Sequence, residues 1–560
     1  MSARIGVYVC ECGPNIPDRI DIDRVLEEIS PLKDVAVAKR YRLLCSNDGK
    51  KYLADEIRSE KLTHLVVAAC SPRDHEKTFM KVCLEAGLNP FLFQMVNIRE
   101  QCAWIFSEKS EATRMAVKYI RAGISRVTLH EPLLQKEIKA TPDVLVVGGG
   151  IAGVETALSL AGQKRRVYLV ERSDALGGTA ARLGRLLPHQ GTDMRLIQEK
   201  IEHAENNENI SVFKGCEVED IRGFLGNFEV SLKRSGGEPP PEMFRVGAVV
   251  VATGFALWDA FDPDVTGYGK IDDVVTSLEF EAMSASGKIL KKNGSPPRSV
   301  ALIHCVGRKE KGYCSKVCCL YSLKFAHQLK DSQPAPDVFE FYSDLCLPEK
   351  TDQDVFEEAK KRGVRFLRAD DIRVEGRNGK IRIAYRDGSA EEAVEVEMAV
   401  LAPAMVPAPD SDRLARMLNI PLDETGFFKE AHSMLDPVSA PISGIYIAGC
   451  ASGPKSIPES VVQAQAASGK ILSVLMLGKT LEPEVKVSTI KEELCTGCQT
   501  CLNVCFYGAI SFDAFRGVSV VNEAICRGCG SCVGSCPSGA ISSKQFTYQQ
   551  LFKEVMEALR

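Results

Sequence analysis

The chain has 560 residues, of which 45% are hydrophobic and 26% charged, with a formal net charge of −4 at pH 7. This length predicts roughly three or four domains, and the nearly balanced charge excludes the broad basic surface typical of nucleic-acid binding. No stretch approaches about 18 uninterrupted apolar residues and the N-terminal apolar run is too short for a secretory signal, so we predict a cytoplasmic protein without a membrane span.

The first 130 residues predict an α/β domain whose short β-strands end at cysteines. The strand-like runs "RIGVYVCECG", "DVAVAKRYRLLCS" and "HLVVAACSPR" alternate with charged helical stretches. Because the carboxyl ends of parallel strands face one crevice, Cys10, Cys12, Cys45 and Cys70 should converge there, with Cys102 nearby. The 21 cysteines of so long a chain indicate metal ligation, so we predict a [4Fe–4S] cluster at this edge. Buried structural thiols are the alternative.

The segment "PDVLVVGGGIAGVETALSLAGQKRRVYLVE" predicts a strand, a glycine turn, a helix and a second strand. Gly148 permits the tight turn, Gly150 lets the backbone approach a pyrophosphate, and Gly153 lets the helix lie close to the strand. Glu171, about twenty residues further on, is positioned to hydrogen-bond a ribose hydroxyl. The segment therefore predicts a dinucleotide site, although NAD and FAD share this opening.

Three later segments resemble flavoprotein reductases of the thioredoxin-reductase type: "ALGGTAARL", "VVVATG" and "GIYIAGCASGPKSIPESVVQAQAASGK". The resemblance implies FAD bound by a domain in two parts, residues 143–296 and 406–480. The further cofactor-binding positions that it implies are Gly178, Thr253, Gly254 and Gly449. Cys450 stands where this family usually has Asp.

Residues 297–405 lie where such reductases insert a second Rossmann unit for NADPH. The strand "PRSVALIH" should lead into a glycine turn, but it runs into the thiol-rich stretch "CVGRKEKGYCSKVCC". Thiols and the cations Arg308, Lys309 and Lys311 replace the glycines. We therefore predict that no pyrophosphate turn forms here and that the nicotinamide site is lost.

Cys305, Cys314, Cys318 and Cys319 resemble the "CVG…YCS.VCC" element of the A subunit of heterodisulfide reductases. The resemblance implies that these four cysteines hold a [4Fe–4S] cluster close to the flavin. A thiol–disulfide pair of the thioredoxin-reductase kind, formed by Cys314 and Cys318, is the alternative. The first 130 residues also resemble the N-terminal domain of that family. Three further cysteines are interpreted as packing residues: Cys83, Cys216 and Cys346.

Residues 234–244, "RSGGEPPPEMF", predict a turn- and proline-rich connector between two strands. Some members of the family insert an additional ferredoxin module at this place. The chain therefore resembles a short form that lacks the insertion.

The segment "GPKSIPES" should open a helix that points at the isoalloxazine. Lys455 is the candidate catalytic residue, because its ammonium would stabilise negative charge on the reduced flavin. A solvated lysine at a helix start is the alternative.

Residues 481–560 carry "CTGCQTCLNVC" and "CRGCGSCVGSCP", two copies of the spacing C-x2-C-x2-C-x3-C. In such runs three thiolates on one loop hold one cluster, and the fourth reaches the other cluster. The predicted ligands are Cys495, Cys498, Cys501 and Cys536 for one [4Fe–4S] cluster, and Cys526, Cys529, Cys532 and Cys505 for the other. A pair of zinc knuckles is the alternative.

The C-terminal segment "QFTYQQLFKEVMEALR" predicts a helix with one apolar stripe. The stripe consists of Phe546, Phe552, Val555, Met556 and Leu559. We predict that this face packs on the protein itself; the alternative is that it docks a protein partner of the complex.

The predicted fold class is α/β multi-domain: an N-terminal α/β domain, a thioredoxin-reductase-like FAD domain with a Rossmann-like insert, and a two-cluster ferredoxin domain. The residues themselves indicate a two-electron carrier beside one-electron carriers, and the resemblance to flavoprotein reductases implies that the two-electron carrier is FAD. The resemblance to the heterodisulfide reductase family covers nearly the whole chain. It implies an oxidoreductase component with FAD and four [4Fe–4S] clusters that performs electron bifurcation in a larger complex of anaerobic metabolism.

The partners that this resemblance implies are ferredoxin, a hydrogenase- or dehydrogenase-type donor, and the B- and C-type subunits of the complex. Two other functions stay open: a stand-alone NAD(P)H-dependent flavoprotein reductase, and a disulfide reductase.

Overall fold

The computed structural model describes residues 3–135, 137–184, 186, 194–234, 243–259, 262–377, 379–482 and 484–560. The chain forms two compact units, one made of residues 1–137 and 482–560 and the other of residues 138–481. Most of the predicted connector lies outside the described residues. In the described ranges, no helix has the length and apolar character needed to cross a membrane.

The N-terminal part of the first unit is a parallel sheet with a hydrophobic core on each face. Its strands are β1 (Ile5–Cys10), β2 (Val35–Tyr41), β3 (His64–Ala69) and β4 (Phe93–Asn97), in the order β2–β1–β3–β4. Its helices are α1 (Ile22–Ile29), α2 (Asn47–Ser59), α3 (Pro72–Glu85) and α4 (Lys109–Val127). Side chains alternate along β1, so that Val7 and Val9 face one core and Tyr8 the other. All four strands therefore end at one edge, as the sequence predicts.

The second unit contains most of the strands of the chain. They are β5 (Ile138–Lys139), β6 (Val144–Val147), β7 (Val167–Glu171), β8 (Ile210–Lys214), β9 (Cys216–Phe224), β10 (Asn227–Arg234), β11 (Phe244–Val246), β12 (Ala248–Val251), β13 (Phe255–Leu257), β14 (Val274–Thr276), β15 (Ser299–Val306), β16 (Asp337–Tyr342), β17 (Arg365–Arg368), β18 (Asp370–Arg377), β19 (Lys380–Asp387), β20 (Ala390–Val396), β21 (Met398–Pro403), β22 (Met405–Pro407), β23 (Ile445–Ile447) and β24 (Thr480–Leu481). Its helices are α5 (Ile151–Ala161), α6 (Met194–Glu205), α7 (Pro263–Thr266), α8 (Ser277–Ala285), α9 (Arg308–Lys311), α10 (Cys318–Asp331), α11 (Asp352–Lys361), α12 (Ser411–Leu418) and α13 (Ile457–Val474).

Two parallel five-stranded sheets organise this unit. The first has the order β23–β12–β6–β7–β8, with the antiparallel sheet β11–β10–β9 beside it. The second has the order β14–β21–β15–β16–β17, beside the antiparallel sheet β18–β19–β20. The ribbon of β13 and β22 stands where the chain enters and leaves the second sheet. The second sheet thus lies within the sequence of the first, as predicted for an insert, although its strand β14 precedes residue 297.

In the described residues, the C-terminal part of the first unit is built from two short ribbons, two short helices and a longer C-terminal helix. Its strands are β25 (Ser488–Ile490), β26 (Ile510–Asp513), β27 (Val518–Val521) and β28 (Ile541–Ser543), paired as β25–β28 and β26–β27. Its helices are α14 (Thr500–Val504), α15 (Ser531–Ser535) and α16 (Tyr548–Leu559). The order strand, cysteine-containing loop, short helix and strand occurs twice, from β25 to β26 and from β27 to β28. This structural repeat matches the repeated cysteine spacing in the sequence.

The prediction for the C-terminal helix is wrong in its orientation. The apolar stripe is exposed, with Phe552 at 52%, Val555 at 55% and Leu559 at 73% exposure. The helix packs on α4 through polar groups instead: Arg126 pairs with Glu554 at 2.6 Å, and Gln550 donates to the Leu129 carbonyl at 2.8 Å. Phe546 of the stripe also contacts the Arg126 guanidinium at 4.7 Å, so the packed face combines this ring with polar groups.

Candidate functional site

The glycine turn after β6 is shaped to leave its backbone open. A Cβ atom at Gly153 would collide with the Gly148 carbonyl, so only glycine allows α5 to lie this close to the strand. A Cβ atom at Gly150 would meet nothing within 4 Å. Gly150 caps α5 without a side-chain hydrogen bond, so the first N–H groups of the helix are available to an anionic ligand.

Glu171 ends β7 with its carboxylate beside this turn. Its Oε2 atom accepts a hydrogen bond from the Gly149 N–H at 2.7 Å, and its Oε1 atom accepts one from the Ser173 N–H at 2.8 Å. Oε1 also accepts from the Ser173 hydroxyl at 2.7 Å, whereas Oε2 can accept a further hydrogen bond. The group is therefore held where a ribose hydroxyl could donate to it.

A buried hydroxyl without a partner lies at the end of β12. Thr253 Oγ1 has no hydrogen-bond partner within the described ranges, although buried hydroxyls usually have one. Thr253 and Gly254 follow this strand, and Gly449 follows the adjacent strand β23. Together with the open turn, this unpartnered hydroxyl fits a bound dinucleotide such as FAD.

Lys455 and Cys450 lie in the loop that precedes α13. The Lys455 ammonium donates to Ser452 Oγ at 3.0 Å and to the Gly453 carbonyl at 3.3 Å, and burial lowers its pKa. The Cys450 thiol donates to the Lys455 carbonyl at 3.4 Å. Lys455 is thus anchored in the loop rather than freely solvated, and its role at the flavin stays a prediction.

Replacing Gly153 with Ala should reduce the FAD content of the purified protein to about a tenth or less. Overpacking of this kind costs about 1–3 kcal/mol, and about 1.4 kcal/mol corresponds to a tenfold change in affinity. The matched control is Gly162→Ala at the other end of α5, where the added Cβ would lie 3.4 Å from its nearest neighbour. Flavin absorbance per chain measures the effect. Equal FAD content in both variants would contradict the assignment of this turn.

The cysteines that follow β15 come together at the carboxyl edge of the second sheet. The Cys318 and Cys319 thiols contact each other at the start of α10, and the charges of Cys305 and Cys314 further raise the pKa of Cys318. The nearby side chains of Cys318 and His304 lower the pKa of Cys319. The structure therefore brings together all four cysteines that the sequence singles out here.

Cys346 joins this group, contrary to its interpretation as a packing residue. Its backbone N–H donates to Cys319 Sγ at 3.3 Å, and its thiol contacts that of Cys314. Cys346 follows β16, the strand next to β15, so the parallel order of the sheet delivers it to the same edge. The central site thus contains five thiols. Cys83 and Cys216 lie in hydrophobic cores, as predicted.

The segment after β15, where such reductases carry the turn for a nicotinamide pyrophosphate, packs against Trp258. The Trp258 ring packs directly against Gly307, leaving no room for a Cβ atom there. Tyr313 donates from its hydroxyl to the Met405 carbonyl at 2.8 Å. Residues 305–317 are all described, and they form the short helix α9 and a cysteine loop instead of a glycine turn.

The predicted N-terminal cysteines converge at the edge of their sheet. Burial raises the pKa of Cys10, with smaller contributions from Cys12 and Cys45. Burial also raises the pKa of Cys70 to about 12, and the charges of Cys12 and Cys10 contribute. The Leu44 N–H donates to Cys10 Sγ at 3.5 Å. Four thiols in one crevice form a suitable ligand set for a cubane cluster.

Arg99 is a residue of this site that the sequence does not reveal. Its guanidinium donates to Cys12 Sγ at 3.2 Å and pairs with Glu100 at 2.5 Å, from a π-helical turn over Arg99–Ala103. Cys102 lies in the same turn, but it is fully buried in the opposite core, and burial alone raises its pKa. Cys102 therefore does not join the four thiols.

The cysteines predicted for the second ferredoxin cluster lie near one another, and their role as ligands stays a prediction. Burial is the largest cause that raises the pKa of Cys532, and the nearby thiols also raise it: Cys526, Cys505 and Cys529. Cys505 therefore lies close to the three cysteines of the other run. The Ala509 N–H donates to Cys505 Sγ at 3.2 Å. Such N–H···S bonds tune cluster potentials.

The grouping of the other set stays a prediction. Cys501 and Cys536 pack in one hydrophobic cluster that also contains Cys505 and Cys532, and Cys501 Sγ hydrogen-bonds Ser519 at 3.3 Å. A hydrogen bond with Thr500 lowers the pKa of the exposed Cys498, and Cys495 opens the same loop. Within the described part of the chain, no three His, Cys, Asp or Glu side chains are grouped to hold a single metal ion. In a cubane, the thiolates instead bind four separate irons.

The chain is similar to known proteins in two of its segments and over most of its length. Residues 142–468 match the family described as pyridine nucleotide-disulphide oxidoreductase, and residues 489–544 match the 4Fe-4S dicluster domain. The A subunit of the ferredoxin/F(420)H(2)-dependent CoB-CoM heterodisulfide reductase of Methanosarcina acetivorans is 33% identical, covering 91% of this chain and 75% of that protein. The A subunit of the H(2):CoB-CoM heterodisulfide,ferredoxin reductase of Methanothermobacter thermautotrophicus is 31% identical, covering 91% of each chain. Thioredoxin reductase of T. acidophilum aligns with 59% of this chain and 97% of its own, at 17% identity and a TM-score of 0.43.

The protein is an oxidoreductase, an iron–sulfur flavoprotein with a FAD-binding domain and a C-terminal dicluster ferredoxin domain. The predicted fold class is confirmed. The chain belongs to the family of heterodisulfide reductase A subunits.

Proposed function

We propose that this chain is the flavin-containing electron-transfer subunit of a heterodisulfide-reductase-like complex, and that it splits or merges electron pairs at FAD. The observation that supports this most is the replacement of a nicotinamide turn by five converging thiols in a flavoprotein fold. Bound FAD exchanges one or two electrons, whereas each cluster exchanges one. A chain that holds both can connect two-electron and one-electron partners.

The proposed FAD ligands are the groups described at the first sheet. Gly148, Gly150 and Gly153 with the first turn of α5 would hold the pyrophosphate, and Glu171 would accept from a ribose hydroxyl. Gly178, Thr253, Gly254 and Gly449 would line the remaining cofactor, and Lys455 would place a cation beside the isoalloxazine.

We propose four [4Fe–4S] clusters, two in the ferredoxin domain, one at the central cysteines and one at the N-terminal crevice. Anaerobically isolated protein should then contain one FAD and about sixteen iron atoms per chain. Iron analysis with Mössbauer spectroscopy tests the number. Iron near eight per chain, or about two clusters, would remove both upstream assignments.

The double variant Cys318→Ser/Cys319→Ser should lose about four iron atoms and retain the two ferredoxin clusters. Serine removes the two thiolates that contact each other at the centre of the site. The matched control is Cys216→Ser, since Cys216 is buried in the same unit and hydrogen-bonded to Arg234 at 3.1 Å. Electron paramagnetic resonance (EPR) spectra of reduced samples show which signal disappears. Full iron content in the double variant would favour the thiol–disulfide alternative.

The proposed partners are ferredoxin, a hydrogenase- or dehydrogenase-type donor, and B- and C-type subunits. The names of these relatives mention ferredoxin, F(420)H(2) and H(2), which support this range of partners for the complex. Affinity isolation of the native assembly under anaerobic conditions, followed by identification of its subunits, tests the proposal. Recovery of the chain alone, with no redox partner, would contradict it.

A further inference from the structure

A fully buried His–Glu pair lies beside the central cysteines. His304 Nε2 is 3.0 Å from Glu340 Oε2, and both side chains are 0% exposed. His304 lies on β15 and Glu340 on the neighbouring parallel strand β16, where Leu302 and Glu340 are partners in the register. The two side chains therefore share one face of the sheet, as diagonal neighbours.

The surroundings of this pair are apolar. The same sheet face carries Val300, Leu302 and Val338, which pack in one hydrophobic core with α10. Burying ionisable groups in such a layer is costly, and apolar residues of similar volume are often at least as stable. The pair is therefore not explained by packing alone.

The imidazole of His304 also contacts the thiol of Cys319, one of the proposed ligands of the central cluster. Within the described ranges, neither ring nitrogen of His304 and neither carboxylate oxygen of Glu340 makes an aligned hydrogen bond. Hydrogen bonds to ligating sulfur and the groups that orient them are known determinants of cluster potential. The imidazole of His304 lies between the Glu340 carboxylate and the sulfur of Cys319, which is the position of such a group.

We propose that His304 is a positioning residue that donates a hydrogen bond to Cys319 Sγ, is oriented by Glu340, and raises the reduction potential of the central cluster. The inference rests on the proposed central cluster. A donor to the sulfur withdraws electron density from the thiolate, so the added electron is stabilised.

Two double variants distinguish the effect of the proposed hydrogen bond on the reduction potential from the effect of the buried charged pair. His304→Leu/Glu340→Leu removes the donor and leaves an apolar layer, whereas His304→Gln/Glu340→Gln keeps an N–H donor without a charge. At a fixed potential, the leucine variant should show a roughly tenfold lower ratio of reduced to oxidised central cluster, which for one electron is 59 mV. The glutamine variant should remain near the wild type. The potentials of the two ferredoxin clusters should not change in either variant.

EPR-monitored potentiometry measures these ratios, and the signal absent from Cys318→Ser/Cys319→Ser identifies the central cluster. A leucine variant with an unchanged potential would overturn the inference, as would a glutamine variant that shifts as far as the leucine variant. Absence of any central signal in the wild type would instead overturn the proposed cluster itself, and this inference with it.

A measurement on the unaltered protein covers the case in which the leucine variant loses its cluster. In protein labelled with ¹⁵N-histidine, pulsed EPR of the central cluster should detect a weak ¹⁵N coupling transmitted through the ligating sulfur. The coupling should be absent from the glutamine variant. No coupling in the labelled wild type would overturn the hydrogen bond.

Discussion

Replacing Cys498 and Cys529 with serine should slow the reduction of bound FAD by reduced ferredoxin at least about tenfold, or ~1.4 kcal/mol in activation free energy. Each substitution removes an exposed thiol from one ferredoxin loop, and a one-electron donor needs one-electron carriers to reach the flavin. Stopped-flow absorbance at the flavin band measures the rate. The FAD content should stay unchanged, because every proposed flavin ligand lies in residues 138–481.

The matched control is Thr500→Ala/Ser531→Ala, which removes the hydroxyls 3.5 Å from the same two sulfurs but keeps all ligands. Cysteine variants are a cleaner test than deletion of residues 481–560. Leu481 belongs to β24, which pairs with β5, and α16 packs on α4, so the deletion would disturb both units. Unchanged ferredoxin-driven reduction in the serine variant would contradict the proposed route.

The isolated chain should oxidise neither NADH nor NADPH at a useful rate. Residues 305–317 form a cysteine loop, and Trp258 packs against Gly307 where a pyrophosphate would need open backbone. Without an oriented nicotinamide, hydride transfer loses the advantage of proximity, worth about 7–11 kcal/mol in favourable cases. Anaerobic mixing with each nucleotide, followed at the flavin band, measures the rate.

Photoreduction of the same sample provides the positive control, since it shows that the flavin can be reduced without a nucleotide. Rapid bleaching of the flavin by NADPH in the absence of other subunits would contradict this prediction and favour the hypothesis of a stand-alone reductase.

Local motifs made much of the site predictable from the sequence. The glycine turn and the ferredoxin runs place their functional atoms within a few residues of each other, so spacing alone defines the geometry. Cys505 is an example: it belongs to the first run by sequence but lies near Cys526, Cys529 and Cys532 of the second, while its role as a ligand stays a prediction.

Contacts between distant segments were harder to predict. Cys346 is 27 residues from Cys319 and belongs to no spacing motif. The rule that the carboxyl ends of parallel strands meet, already applied to Cys10 and Cys70, would have placed it at the central site once β16 was paired with β15. Arg99 and Glu340 carry no such signal, since their roles depend on side-chain contacts across strands.

The C-terminal helix shows the limit of hydrophobic periodicity. Its stripe predicts burial, yet the packed side includes Gln550 and Glu554, whose polar groups have partners on and beside α4. Periodicity reports which residues share a face, and it does not report what covers that face.

A reductive titration of the anaerobic protein with titanium(III) tests the central claim most directly, because it counts electrons. One FAD and four one-electron clusters should take up about six electrons per chain, with flavin bleaching and cluster bleaching resolved in the absorbance spectra. Uptake of only about two electrons, all accounted for by the flavin, would contradict the account and leave a simple flavoprotein.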